Sequence, residues 1–228
     1  QRQMCIRDST TTPKGLAAPS IPYTGFGTGF FDYDNDGDLD LAIGNGRVTR
    51  GPLMTDKGPK TYWDDYAEPN FLFENDGKAK FTDVSHMAPD FCANVENSRG
   101  LAFGDVNNDG YIDLLLMNEG GRARLFQNTG DRKYHWFIVR AIDPELNRDA
   151  VGAKIIITIE GKRLTRLVNP GYSIMSSNDF RVHFGLGKAT SVEQLVVLWP
   201  DGEKENFGQF QANQFVTLKK GQSKINEK

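Results

Sequence analysis

The stretch FFDYDNDGDLDLAIGNG, residues 30–46, carries five aspartates within the nine positions from Asp32 to Asp40 and then passes at once into an apolar run. Carboxylates held within a few ångströms of one another repel unless water, a shared proton or a bound cation relieves them. Asp32, Asp34 and Asp36 alternate, Gly37 follows, and Asp40 comes three residues later, giving D-x-D-x-D-G-x-x-D. Oxygen ligands at positions 1, 3 and 5 with a glycine at 6 are what a loop coiled around Ca²⁺ requires, because the glycine makes the sharp turn that aims later ligands inward. The pattern returns in GDVNNDGYIDLLLMNEG, where Asp105, Asn107, Asp109, Gly110 and Asp113 take the matching places. A solvated acidic turn is the plainer alternative for one loop alone; two loops with the same flanking residues favour calcium.

The flanks decide the kind of loop. An EF-hand needs a helix on each side and a bidentate Glu at position 12. Here that position holds Ile43 and Leu116, which ligate nothing, and a dockerin-type loop fails on the same count. Leu39, Leu41 and Ile43 alternate after the first loop, as do Ile112, Leu114 and Leu116 after the second, which is a strand pattern. Glycine- and aromatic-rich segments, TGFGTGFFD and SRGLAFGD, precede the loops with Phe30 and Phe103 at matching offsets. Each loop is therefore expected at the turn of a β-hairpin.

These residues resemble the FG-GAP repeat of integrin-α-type β-propellers, in which such a hairpin loop holds Ca²⁺ within each blade. The resemblance implies ligation by the Asp32, Asp34, Asp36 and Asp40 side chains with the Asp38 carbonyl. In the second loop it implies Asp105, Asn107, Asp109 and Asp113 with the Tyr111 carbonyl. The second set has one carboxylate fewer and is expected to be the weaker site.

The repeats are 73 residues apart, longer than a common propeller repeat, so an insertion is expected between them. Residues 46–69, dense in Gly, Pro and charge, are the candidate, either as a binding rim or as an ordered surface loop. Within it, Trp63 beside Asp64, Asp65 and Tyr66 reads as a sugar-stacking patch or as the anchor that pins the insertion. NFLFENDGKAKFTDVS then reads as strand, N-D-G turn, strand.

From about residue 133 the aspartate loops cease and β-rich segments follow: WFIVRAI, AKIIITIE, RLTRLV and EQLVVLWP. This half resembles the ASPIC/UnbV domain through HWFIVR, NRDAVGAKI, GYSIMSSND, VHFGLG and VLWPDG; Ala150 stands where that family more often has glycine. FG-GAP repeats followed by this domain are the architecture of the cartilage acidic protein-like family, and the chain resembles the C-terminal part of such a protein. The expected fold is all-β: residues 10–132 as partial propeller blades with calcium hairpins, and residues 133–228 as an antiparallel β-sandwich-like domain.

The ends and composition bound the rest. The start, QRQMCIRDS, matches nothing in the repeats and reads as a non-native leader over residues 1–9, which leaves Cys5 doubtful and gives Cys92 no assured partner. No apolar run is long enough for a transmembrane helix, and a signal peptide is taken to belong to a missing N-terminus. A net charge of −3, with acids dense in the two loops, argues against a nucleic-acid surface. Calcium loops of this kind fill at roughly 0.1–1 mM, which points to an extracellular, cell-surface or periplasmic setting.

Ser176 or Ser177 with Asp179 and His183 supplies the residue types of a hydrolytic triad, but sequence proximity is not triad geometry and no G-x-S-x-G elbow is present. His183 is read instead as a half-buried strand residue, and Trp199 as a residue that closes a strand and packs in the second core. The expected function is a non-catalytic, calcium-stabilised extracellular module for adhesion or scaffolding, with an unidentified protein or glycan as partner. The alternative is a fragment of a secreted hydrolase or lyase whose catalytic groups lie on the rim or in missing blades.

Overall fold

The computed structural model describes residues 11–54 and 61–223, so the leader with Cys5 and part of the 46–69 insertion lie outside the described residues. The chain divides into two units. One comprises the chain up to Phe31, Leu39–Leu101 and Leu116–Phe126; the other comprises Asp32–Asp38, Ala102–Leu115 and the chain from Gln127 onward. Both acidic loops therefore group with the C-terminal half, although the strands that carry the first loop do not.

In the first unit β1 (Gly25–Phe31), β2 (Asp40–Asn45), β3 (Phe71–Asn75) and β4 (Phe81–Asp83) form one sheet in chain order, each strand antiparallel to the next. The β1–β2 pairing sets Phe31 opposite Asp40, so the first loop closes directly on that pair. Leu41, Phe71, Phe73 and Phe81 bury together, with Leu16, Tyr23 and Ile43 packed against them. A second sheet follows the same order with β5 (Ser98–Gly104), β6 (Asp113–Asn118) and β7 (Arg124–Phe126). Both acidic loops thus lie between consecutive strands, as the alternation of their flanks requires.

The insertion contains a short 3₁₀ turn, Tyr62–Tyr66, which the sequence reading did not anticipate. Asp64 begins it by accepting the Thr61 N–H at 2.6 Å. A Cβ on Gly120 would lie 1.8 Å from Trp63 Cδ1, so the indole is seated directly on that glycine. Trp63 thereby packs against the turn between β6 and β7, as the anchor reading expects.

In the second unit β8 (His135–Asp143), β9 (Arg148–Asp149), β10 (Lys154–Ile159), β11 (Lys162–Leu167), β12 (Val182–Gly187), β13 (Ser191–Leu198), β14 (Lys204–Gln211) and β15 (Gln214–Lys219) build two sheets. Their orders are β11-β10-β13-β14 and β12-β8-β15, with β9 alongside β8. Phe137, Val139, Ile155, Ile157, Phe184, Leu195 and Trp199 share one core, which agrees with the reading of Trp199. One expectation is corrected: the domain is not wholly antiparallel, because β15 runs parallel to β8, Phe215 opposite Ile138. The chain leaves β14 in one sheet and enters β15 in the other through Ala212 and Asn213, and without a hairpin nothing forces antiparallel pairing. Asn213 fixes the crossing, its N–H donating to the Trp136 carbonyl at 2.7 Å and its Oδ1 accepting from the Trp136 N–H at 3.2 Å.

Phe137 is fully buried in this core. Phe137→Ala is expected to cost about 3–5 kcal/mol in urea denaturation; a loss near zero would show that the two sheets do not share this core.

Candidate metal centre

Strand β12 explains how the loops are held. Its even-numbered side chains, Val182, Phe184 and Leu186, enter the core. By the twofold periodicity of a strand the odd positions face the other way, and each of them meets an acidic loop. Gly187 N–H donates to the Asn35 carbonyl at 2.9 Å, and Gly185 N–H donates to Asp32 Oδ2 at 3.2 Å. His183 Nε2 lies 3.1 Å from the Gly110 carbonyl. Arg181, just before the strand, donates to the Asp105 carbonyl and to Asn108 Oδ1, both at 2.6 Å.

Gly185 is required by this docking. A Cβ there would lie 2.1 Å from Asp32 Oδ2 and 2.6 Å from the Asn35 carbonyl carbon, closer than non-bonded atoms approach. The two loops also touch through Asn35, whose amide donates to the Gly110 carbonyl at 3.3 Å. Gly110 in turn lies flat against Trp136: its φ is +88°, and a Cβ at that position would come within 2.0 Å of the indole Cε2.

Within the first loop Gly37, at φ of +98°, turns its N–H to Asp32 Oδ2 at 2.9 Å. Asp34 and Asp36 each accept the N–H two residues on, at 3.1 and 2.8 Å. Asp40 accepts the Asn75 N–H at 2.9 Å. Asp32, Asp34 and Asp40 each aim an oxygen so that all three lie within 4.8 Å of one another, and Asp32 and Asp40 are 1% exposed. Asp36, the fourth implied side-chain ligand, is exposed, and Asp38 is 3.8 Å from Lys162. Arg166 donates to the Gly37 carbonyl at 3.3 Å; burial depresses its pKa, an effect that the nearby Asp32 and Asp38 charges oppose. Three carboxylates so placed, two of them out of water, fit a hard divalent cation, because an oxygen from each can share one ion.

The second loop repeats the backbone and not the convergence. Asp105 Oδ1 and Oδ2 accept the N–H groups of Asp109 and Gly110 at 3.1 and 2.7 Å, and Asp113 accepts those of Asn128 and Val106 at 2.8 and 3.0 Å. Burial raises the Asp105 pKa more than these donors lower it. Asp109 also feels burial, but donors on Asn107, the Tyr111 N–H and Arg132 outweigh it and hold its pKa low. Tyr111 is buried. Among the described residues, the group of three acids close enough to share a metal is that of the first loop.

The triad types are engaged apart from one another. Ser176 donates to the Ile174 carbonyl, Asp179 accepts from Arg181, and His183 faces Gly110. The sequence reading missed Asn35, Gly185, Arg166, Arg181 and Arg132. A glycine inside the strand pattern V-H-F-G-L-G was the available signal, since it marks a close approach of another backbone.

These features describe an all-β chain with acidic hairpin loops seated on a two-sheet domain. Residues 143–225 match the family model described as ASPIC and UnbV, which covers β12, Arg166 and Arg181 but neither loop nor the HWFIVR segment. Over 89 residues the chain is 33% identical to cartilage acidic protein 1 of Xenopus tropicalis, a match covering 39% of this chain and 13% of that relative. The match to cartilage acidic protein 1 of Mus musculus is also 33% identical, over 79 residues, covering 35% of this chain and 12% of the relative. The chain thus spans a small part of the relatives that it matches. No helix among the described residues is long and apolar enough to cross a membrane.

Both roles of β12 can be tested. Gly185→Ala, whose added methyl meets the Asn35 backbone, is expected to cost at least about 2 kcal/mol in a thermal melt, whereas an alanine in an unobstructed strand costs nothing; an unchanged melting point would remove the docking. Burial pushes His183 from its ordinary 6.5 down to about 4, with the nearby Arg166 charge in the same direction and the Gly110 carbonyl opposing. The unfolded chain therefore takes up a proton that the folded chain refuses, and stability falls as pH drops from 6.5 towards 4. Because the residue keeps a partly exposed edge, about 1–2 kcal/mol of that loss is expected to vanish in His183→Gln; equal pH profiles for the two proteins would contradict the shift.

Proposed function

We propose that this chain is a non-catalytic, calcium-stabilised extracellular module for adhesion or scaffolding, and that its principal ion sits in the first loop. The observation that carries the reading is the convergence of Asp32, Asp34 and Asp40 within 4.8 Å, two of them buried. An ion there would neutralise charge that the fold otherwise holds at a cost, and would tie the β1–β2 turn into a closed loop. In the FG-GAP reading the Asp36 side chain and the Asp38 carbonyl complete the shell, and the two hairpins belong to propeller blades of a larger protein. The match of residues 143–225 to the ASPIC and UnbV model supports placing the chain beside the cartilage acidic protein 1 relatives. The partner in this reading is an extracellular protein or glycan, because sites of this class fill at roughly 0.1–1 mM calcium. The separate engagements of Ser176, Asp179 and His183 favour this reading over a hydrolase.

A ligand that binds only the folded state stabilises it by mass action. For a site of that strength, 10 mM calcium is worth about 1.4–2.7 kcal/mol. The melting temperature is expected to rise by several degrees between chelator and 10 mM calcium, and Asp34→Ala is expected to remove most of the difference. Identical melts of the unaltered chain in both conditions would sink the proposal.

A further inference from the structure

We propose that the insertion carries a glycan subsite, in which the Tyr62 ring stacks on one sugar of an uncharged oligosaccharide while Arg50 and Asp65 bond its hydroxyls. The inference narrows the partner of the extracellular module proposed above, and rests on that reading only for the setting in which such a glycan is met.

The turn Tyr62–Tyr66 is fixed from behind. Trp63 is seated on Gly120. The Arg47 and Gly51 N–H groups donate to the Tyr66 and Asp65 carbonyls at 2.7 and 2.9 Å, which ties the first limb of the insertion to the turn. Tyr62 meets Trp63 edge to face, with ring centres 5.0 Å apart at 88°, and its hydroxyl lies 3.5 Å from that of Tyr66. Held in this way, Tyr62 is still 58% exposed, whereas Trp63 and Tyr66 are half-buried. An aromatic ring fixed by its neighbours and open to water offers contact area at little cost in conformational entropy. Trp63 is thus the anchor, and its neighbour takes the stacking role.

A pyranose presents a flat face of C–H groups, which the electron-rich face of an aromatic ring attracts, and a rim of hydroxyls that both donate and accept. The groups beside Tyr62 match that rim. The Arg50 guanidinium carbon is 5.0 Å from the ring centre, and Arg50 Nε is 3.9 Å from Asp65 Oδ2, so donors and an acceptor stand together. The Arg50 side chain is 61% exposed and free to yield the ring to a sugar while keeping its donors on the hydroxyls. The charges of Arg50 and Asp65 cancel and Asp64 adds a further negative one, which selects an uncharged glycan over a sulfated or uronic one. One open ring is matched to one sugar, whereas a protein interface takes about 800 Å² of each partner.

The test is saturation-transfer NMR and calorimetry on the whole chain, with cellotetraose and chitotetraose as neutral probes and a heparin tetrasaccharide as the charged one. A neutral probe is expected to bind, about 10-fold more weakly in Tyr62→Ala and about 3–10-fold more weakly in Arg50→Gln, with Tyr62→Phe, which keeps the ring, retaining most of the affinity. Binding unchanged in Tyr62→Ala overturns the subsite, and a loss as complete in Tyr62→Phe as in Tyr62→Ala overturns the stacking. Binding of the heparin probe alone overturns it in favour of simple charge attraction. No binding of either neutral probe by the folded chain also overturns it, while the calcium-dependent melt, in which none of these residues takes part, still decides the reading of the first loop.

Discussion

The buried carboxylate of Asp32 is the constraint around which the C-terminal unit is arranged. A carboxylate at 1% exposure needs donors or a cation in place of water, and Asp32 takes the N–H of Gly37 from its own loop and that of Gly185 from β12. The second donor is reachable only because residue 185 has no side chain. One strand thus has two tasks set by its twofold period: Val182, Phe184 and Leu186 complete the core, while His183, Gly185 and Gly187 hold the acidic loops.

The loops share a backbone plan and differ in what surrounds them. Positive φ at Asn35 and Asn108, and glycines at positions 37 and 110, give both the same turn. Beyond the turn, the neighbours decide the chemistry. The first loop gathers three carboxylates towards a common point, whereas the second has its middle carboxylate paired with a guanidinium and its carbonyl edge held by another. The repeated sequence supplies the same turn twice, while the non-repeated Arg132 and Arg181 make their contacts with the second loop.

Much of this was legible in the sequence. Alternation at Leu39, Leu41 and Ile43 and at Ile112, Leu114 and Leu116 located the strands after each loop, and the N-D-G turn located the pairing of β3 with β4, because these features depend on residues close in the chain. His183 and Trp199 fall as their strand contexts indicated. What lay hidden depends on residues far apart. Periodicity gives the face of β12 but not what that face meets, so the pairing of Gly185 with Asp32 could not be read from it. The ion pair joining Arg132 to Asp109 spans 23 residues and carries no local pattern. The parallel entry of β15 depends on a change of sheet at Asn213 that turn chemistry alone does not specify. The 3₁₀ turn at Tyr62–Tyr66 is shorter than any helical period can reveal.

The most direct measurement is long-wavelength anomalous diffraction from crystals of the chain grown in calcium. The account predicts a strong anomalous peak among Asp32, Asp34 and Asp40. Crystals in millimolar calcium with no peak there, and with these three carboxylates bridged only by water or lysine, would contradict it.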